Sequence, residues 1–229
     1  MRRVAVYAGT RSVYGMMVAA AKSLTERTRM DAVWFLIEDD DFPEALPDVV
    51  RTVNVSRQTW FSPDGPNYNS KWTYMSLMRL VLPELFSNES RVLWLDVDTI
   101  VLDDIGDLFD IDLADNYVAM VREPPRCSAP FMYFNAGVTL MDLDALRRDG
   151  IMAKWLRLVN TEPLTALDQD AINLICQGEI LEIDPAYNSA GCITQTASQP
   201  MIQHFAGYLR PTGAGIFAEF AKREWRVKT

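Results

Sequence analysis

Apolar positions along the chain follow two rhythms. Short unbroken runs occupy residues 3–8, 32–37, 52–55, 92–95, 117–121 and 136–141. Their length and their Val, Ile and Leu content suit strands covered on both faces. Residues 13–24, 72–85, 145–159 and 168–176 instead carry apolar side chains at helical spacing, as a helix with one buried stripe does. Strands alternating with helices predict an α/β fold with a mostly parallel sheet and helices packed on it. Ser62-Pro63-Asp64-Gly65-Pro66-Asn67 reads as a loop, and residues 103–115 as an acidic loop holding a short helical turn. Pro124-Pro125 ends the strand at 117–121. No repeat, low-complexity stretch or linker breaks the pattern, so residues 1–229 are expected to form one domain, with 212–229 as a C-terminal tail.

Composition narrows the class. A chain of 229 residues with 49% hydrophobic and 23% charged residues has the apolar content for one sizeable core. No apolar run approaches the ~20 residues that span a bilayer. Met1-Arg2-Arg3 is followed by too few apolar residues for a signal-peptide core. Cys127, Cys176 and Cys192 have neither even parity nor Cys-x-x-Cys spacing, which suits reduced thiols in a cytoplasmic protein. A net charge of −9 opposes broad binding to nucleic acid or anionic membranes. A single anionic ligand received by a cation stays compatible with it. The tail is locally basic and aromatic, with Lys222, Arg223, Trp225, Arg226 and Lys228. A solvated terminus is the expected role there, and peripheral docking on a membrane the alternative.

Asp-x-Asp occurs five times, at 39/41, 96/98, 110/112, 142/144 and 168/170. Solvated loops account for 39/41 and 110/112, and a helix cap for Asp142. Asp96 and Asp98 differ in context, since they follow directly on the buried run Val92-Leu93-Trp94-Leu95. Two residues apart at the carboxyl end of a strand, they are expected to point to one side, where open α/β sheets bind ligands. Two converging carboxylates repel unless a cation sits between them. Mg²⁺ or Mn²⁺ with substrate phosphates completing the shell fits such oxygen ligands.

At these residues the chain resembles the retaining glycosyltransferases of family 8, which include glycogenin and bacterial lipopolysaccharide galactosyl- and glucosyltransferases. The resemblance rests on four blocks in family order: Leu95-Asp96-Val97-Asp98, Phe134-Asn135-Ala136-Gly137-Val138, Asp168-Gln169-Asp170-Ala171-Ile172-Asn173, and His204-Phe205-Ala206-Gly207 with Arg210-Pro211. Arg79, in the helix before the aspartates, matches the family's arginine. The resemblance implies a GT-A fold, a Rossmann-like nucleotide-diphospho-sugar transferase architecture. It also implies a UDP-sugar donor, typically UDP-glucose or UDP-galactose, a Mn²⁺ or Mg²⁺ ion, and retention at the anomeric carbon. It makes Asp96, Asp98 and His204 (the chain's only histidine) the metal ligands. Val97, Ala136, Gly137 and Arg79 would border the donor, and Gly207 and Arg210 the diphosphate, where the family usually has Lys in place of Arg210. Asn135, Asp168 and Gln169 would be catalytic residues lining the donor sugar, with Gln169 beneath the anomeric carbon. Asp168 is also read as a helix N-cap and Asn173 as an ordinary helix residue.

One segment departs from the family. An acidic Asp-x-Asn-Tyr type segment commonly follows the first strand, whereas this chain has Ala8-Gly9-Thr10-Arg11-Ser12-Val13-Tyr14. Thr10 and Tyr14 match the family's Thr-x-x-x-Tyr variant, which implies that Ala8, Thr10 and Tyr14 border the nucleoside and that Tyr14 stacks on the base. Acceptors consistent with the resemblance are a glycan, a lipid-linked sugar, a protein or another hydroxyl compound. Two other readings compete. Gly9-Thr10-Arg11 is similar to the glycine-rich loop of sugar-1-phosphate nucleotidyltransferases, but the prolines and Pro-Lys pair of that group are missing. A non-catalytic sugar-nucleotide-binding homologue is the other.

Overall fold

The computed structural model describes residues 1–70, 72–124, 132–191, 193–194, 197–207 and 210–229, with the side chains of 210–212 outside the description. Cys127, Cys192 and Pro125 therefore lie outside the described residues, as does the side chain of Arg210. Cys176 is a buried free thiol.

Seven strands form the central sheet in the order β3-β2-β1-β4-β7-β6-β8. They are β1 (Val4–Ala8), β2 (Ala32–Ile37), β3 (Val50–Asn54), β4 (Arg91–Leu95), β6 (Val118–Arg122), β7 (Phe134–Asp142) and β8 (Ile180–Glu182). Only β7 runs against the others, so the sheet is mostly parallel, as the alternation of runs predicts. A second sheet pairs β5 (Thr99–Val101) antiparallel with β9 (Ile202–His204), three residues each.

Apolar layers cover both faces of the main sheet. On one face α1 (Tyr14–Arg27) places Met17, Val18, Ala20, Ala21 and Leu24 against Ala5, Tyr7, Val33, Phe35, Leu93 and Leu95. The other face is covered by the segment 74–85 together with α4 (Leu143–Arg148), α5 (Ile151–Thr161) and α6 (Leu167–Ile175), around Trp94, Trp155, Met78 and Leu80. The single helix expected over 145–159 is two helices, broken at Asp149-Gly150, where Gly150 takes a φ of 62° that a side chain would resist. Residues 74–85 are not one α-helix either: Tyr74–Val81 is 3₁₀, and α2 (Leu82–Leu85) follows with Pro83 in its first turn, where a missing N–H costs nothing. In a 3₁₀ segment residues three apart eclipse, so Ser76 and Arg79 face the same way. A short α3 (Gly106–Phe109) lies within the acidic loop.

Residues 210–222 form α7 (Arg210–Lys222), which packs on α1 through Phe217 and Phe220 against Ala19 and Ile100. The basic groups of the tail meet acids of the body: Arg223 and Arg226 reach Glu26, and Lys228 reaches Asp104. Among the described residues no helix is long and apolar enough to cross a membrane.

Candidate active site

The site grows from the carboxyl end of β4. The strand stops at Leu95, and Asp96 to Thr99 form a turn in which the Thr99 N–H and hydroxyl both donate to the Asp96 carbonyl, at 3.2 and 2.7 Å. The common aim of Asp96 and Asp98 thus comes from this turn rather than from strand alternation. β5 starts within it, and its pairing with β9 sets Thr99 opposite His204. The Phe205 N–H donates to the Asp98 carbonyl at 2.8 Å, which closes the join.

Here the three predicted ligands converge. His204 Nε2 lies 3.3 Å from Asp98 Oδ1 and 3.8 Å from Asp96 Oδ2, and one ligand atom from each of the three falls within 4.8 Å of the others. Asp98 and His204 are buried, while Asp96 opens to the cleft. Asp96 is oriented by its other oxygen: Oδ1 accepts from Arg79 Nη2 at 2.7 Å and from Trp94 Nε1 at 2.9 Å. That leaves Oδ2 toward His204. The donor set of two carboxylates and one imidazole fits a divalent cation of the Mn²⁺ or Mg²⁺ kind.

Arg79 is a buried clamp. Its Nε meets Asp168 Oδ2 at 2.7 Å, its Nη1 donates to the Ala136 carbonyl, and its plane lies 4.6 Å over the Trp94 ring. Burial pushes the Asp168 carboxyl up to about 6, the nearby Asp96 charge adds to the rise, and Arg79 opposes it. The N-cap of α6 is Ala166, so Asp168 does not cap the helix as expected; its carboxylate belongs to Arg79. Asn173 is no ordinary helix residue: buried, it accepts from the Phe134 N–H and donates to the Phe134 carbonyl, tying α6 to β7. Asp142 does cap α4, accepting from the Ala145 N–H at 2.8 Å.

The Asn135-Ala136-Gly137 segment owes its exposure to a break in register. β6 and β7 pair regularly up to Met120 with Thr139, and then Val121 pairs with Asn135. The residues between bulge from the ladder, a device common beside active sites. Gly137 accepts from the Asp96 N–H at 2.8 Å, and its lack of a side chain makes room for His204. A Cβ there would lie 2.1 Å from His204 Cε1 and 2.6 Å from Nδ1. Gly137→Ala is expected to cost about 1–3 kcal/mol by overpacking. It should also weaken Mn²⁺ binding; urea unfolding and Mn²⁺ titration check the two effects, and unchanged metal affinity would show that His204 is placed independently of Gly137.

A cleft of two joined lobes surrounds this centre. The larger, about 480 Å³, is lined by Asn135, Ala136, Gly137, Asp168, Gln169 and Gly207 among others. Ala8, Thr10 and Val97 line the smaller, about 200 Å³, and Arg79, Asp96 and Asp98 belong to both. Tyr14 lines neither lobe. Its ring is buried against Phe42 and its hydroxyl donates to Asp39 at 2.8 Å, so the stacking face expected from the resemblance is closed off by the core. Arg11 turns to the same Asp39.

Several cleft residues escaped the sequence reading, Glu123 and Trp72 among them. Glu123, just past β6, is buried and accepts from Asn135 Nδ2 at 3.0 Å and Gln169 Nε2 at 3.1 Å. Gln169 Oε1 in turn accepts from the Ala136 N–H at 3.0 Å. The available signal was the one that flagged Asp96, an acid at the end of a buried run. Trp72, 40% exposed, borders both lobes; a tryptophan opening a run of helical spacing carries no such signal.

A mostly parallel sheet with an acidic cluster at a strand end over a two-lobed cleft matches the fold of solved glycosyltransferases of the GT-A class. The chain belongs to glycosyl transferase family 8, whose family model matches residues 18–211. Curated relatives include General stress protein A of Bacillus subtilis, 28% identical over 173 residues (62% of this chain, 60% of the relative). Another is lipopolysaccharide 1,3-galactosyltransferase of Salmonella typhimurium, 25% identical over 165 residues (62% of this chain, 49% of the relative). The chain thus spans less than two thirds of these relatives' length. Among solved structures, the galactosyltransferase LgtC in complex with donor and acceptor sugar analogs superposes with a TM-score of 0.76 at 21% identity, covering 98% of this chain and 97% of that one.

Proposed function

We propose that this chain is a metal-dependent hexosyltransferase that moves glucose or galactose from a UDP-sugar to an acceptor hydroxyl with retention of configuration. The observation that carries the reading is the convergence of Asp96, Asp98 and His204 on the wall shared by two lobes. These three would hold Mn²⁺ or Mg²⁺, the imidazole favouring Mn²⁺. When bound, the cation offsets negative charge developing on the departing diphosphate.

The protein's own groups divide the remaining tasks. The smaller lobe, walled by Ala8, Thr10 and Val97, takes the nucleoside. The larger takes the hexose, whose hydroxyls meet Asn135, Asp168, Gln169 and Glu123. Arg79 borders the donor in both lobes, while its Nε, Nη1 and Nη2 hold Asp168, the Ala136 carbonyl and Asp96. Gln169 is a neutral amide fixed at both ends, so it stabilises a positively charged sugar by its carbonyl dipole and is a poor nucleophile. Same-face attack by the acceptor oxygen follows, with the departing phosphate oxygen taking the hydroxyl proton. A glycosyl adduct on Glu123, seen by mass spectrometry after donor exposure, would replace same-face attack with double displacement.

A panel of UDP-sugars tests the whole reading. One hexose donor should be hydrolysed slowly with Mn²⁺ and not with excess chelator. Release of pyrophosphate from UTP and a sugar phosphate instead would assign the chain to nucleotidyl transfer.

A further inference from the structure

We infer that Asn188 is a positioning residue that fixes His204 as an Nδ1–H tautomer and so presents Nε2 as a metal ligand; this rests on the metal reading above. Asn188 ends the short 3₁₀ turn Pro185–Asn188 and is completely buried. The backbone brings it to β9: the Ser189 N–H donates to the Ile202 carbonyl, and the His204 N–H donates to the Ser189 carbonyl, both at 3.0 Å. Its side chain lies between two partners, His204 Nδ1 at 2.9 Å from Oδ1 and Asn135 Oδ1 at 2.8 Å from Nδ2.

The direction of every hydrogen bond in this row follows from groups whose polarity is not in question. The Gly137 backbone N–H, which can only donate, meets Asn135 at 3.0 Å, so that end of Asn135 is its oxygen. Glu123 accepts from the opposite end, which must be the NH₂. An oxygen at Asn135 requires the NH₂ of Asn188 to face it. The oxygen of Asn188 then faces His204, and Nδ1 must carry the proton. The lone pair is left on Nε2, the atom nearest Asp98 and Asp96. A metal-binding histidine whose other nitrogen donates to a buried acceptor has its tautomer and ring plane set in this way.

The row His204–Asn188–Asn135–Glu123–Gln169 also runs without a break from the proposed ligand to the sugar lobe. Asn135 therefore has two ties, one to the cation's histidine and one to the groups facing the hexose.

The test uses the full chain and Mn²⁺ alone as probe, by isothermal titration without any donor. Asn188→Leu keeps the volume and removes the acceptor, and should weaken Mn²⁺ binding by ~10- to 100-fold, the usual effect of losing such a partner. Asn188→Asp keeps an acceptor for Nδ1–H but loses the donor to Asn135, and should bind Mn²⁺ more tightly than Asn188→Leu and more weakly than wild type. Because the chain has one histidine, nitrogen NMR of the Zn²⁺-loaded wild type reads its ring without assignment. The expected result is the metal on Nε2 and the proton on Nδ1. Zinc on Nδ1 overturns the inference, as does a leucine variant that binds Mn²⁺ like wild type or an aspartate variant that loses as much as leucine. A wild type that binds no Mn²⁺ rejects the metal reading itself, a different result. If Asn188→Leu does not fold, the wild-type spectrum still decides.

Discussion

Asp98→Asn and His204→Ala will each lower metal-dependent donor turnover by roughly a thousandfold or more, while the metal-free proteins still unfold cooperatively. The magnitude follows from the several kcal/mol of charge stabilisation a bound cation supplies, each 1.4 kcal/mol being about tenfold in rate. The two side chains supply buried ligand atoms 3.3 Å apart, so neither can be replaced by a neighbour shifting inward. Asparagine at 98 keeps shape and hydrogen-bonding capacity and removes only the charge; alanine at 204 removes the nitrogen. A second readout needs no donor. A ligand that binds only the folded state stabilises it by about 2.7 kcal/mol at a hundred times its dissociation constant. Mn²⁺ should therefore raise the melting temperature of the wild type and leave both variants unmoved. Normal turnover in either variant, or an undiminished Mn²⁺ shift, would remove these residues from the metal.

How far the sequence reached depended on whether a feature was local. β2 spans the residues its apolar run marks, and β1, β4 and β7 differ from theirs only at the ends. Such strands declare themselves, because burial on both faces leaves no polar position. β5 and β9 have three residues each, too few for any period, and their pairing joins Thr99 to His204 across most of the C-terminal half. That pairing is what brings the histidine to the aspartates. Only the match to known blocks anticipated it; spacing alone could not. Tyr14 shows the opposite case: its motif is local, but Phe42 and Asp39, residues outside the motif, hold its ring and hydroxyl. Asp168 looked like a cap because caps are local, whereas its partner Arg79 stands on another element.

Arg79→Met is expected to cost roughly 3–5 kcal/mol at pH 8, the usual loss when one partner of a buried ion pair is removed. Methionine fills much of the stem's volume, so the loss is mainly electrostatic. It leaves Asp168 and Asp96 without their guanidinium partner, while the Ala136 carbonyl keeps the Thr139 hydroxyl as a donor. Asp168 can take up a proton, which limits its share of the cost. This proton uptake predicts a pH dependence. With its carboxyl raised by burial to about 6 from an ordinary 3.8, Asp168 favours the folded state below 3.8 and loses that contribution as the pH climbs through about 6. Without the guanidinium that opposes the rise, the loss will continue to higher pH in the variant. The gap between variant and wild type should thus be widest at pH 8 and narrow as acid protonates Asp168 in both. Adding Asp168→Asn to Arg79→Met should recover part of the stability at pH 8 and flatten the profile, giving a coupling energy in a double-mutant cycle. Urea unfolding at pH 5 and pH 8 measures all four corners. A deficit that does not change with pH, or two single effects that simply add, would mean that Arg79 supports the fold through the Ala136 carbonyl and the Trp94 face rather than through Asp168.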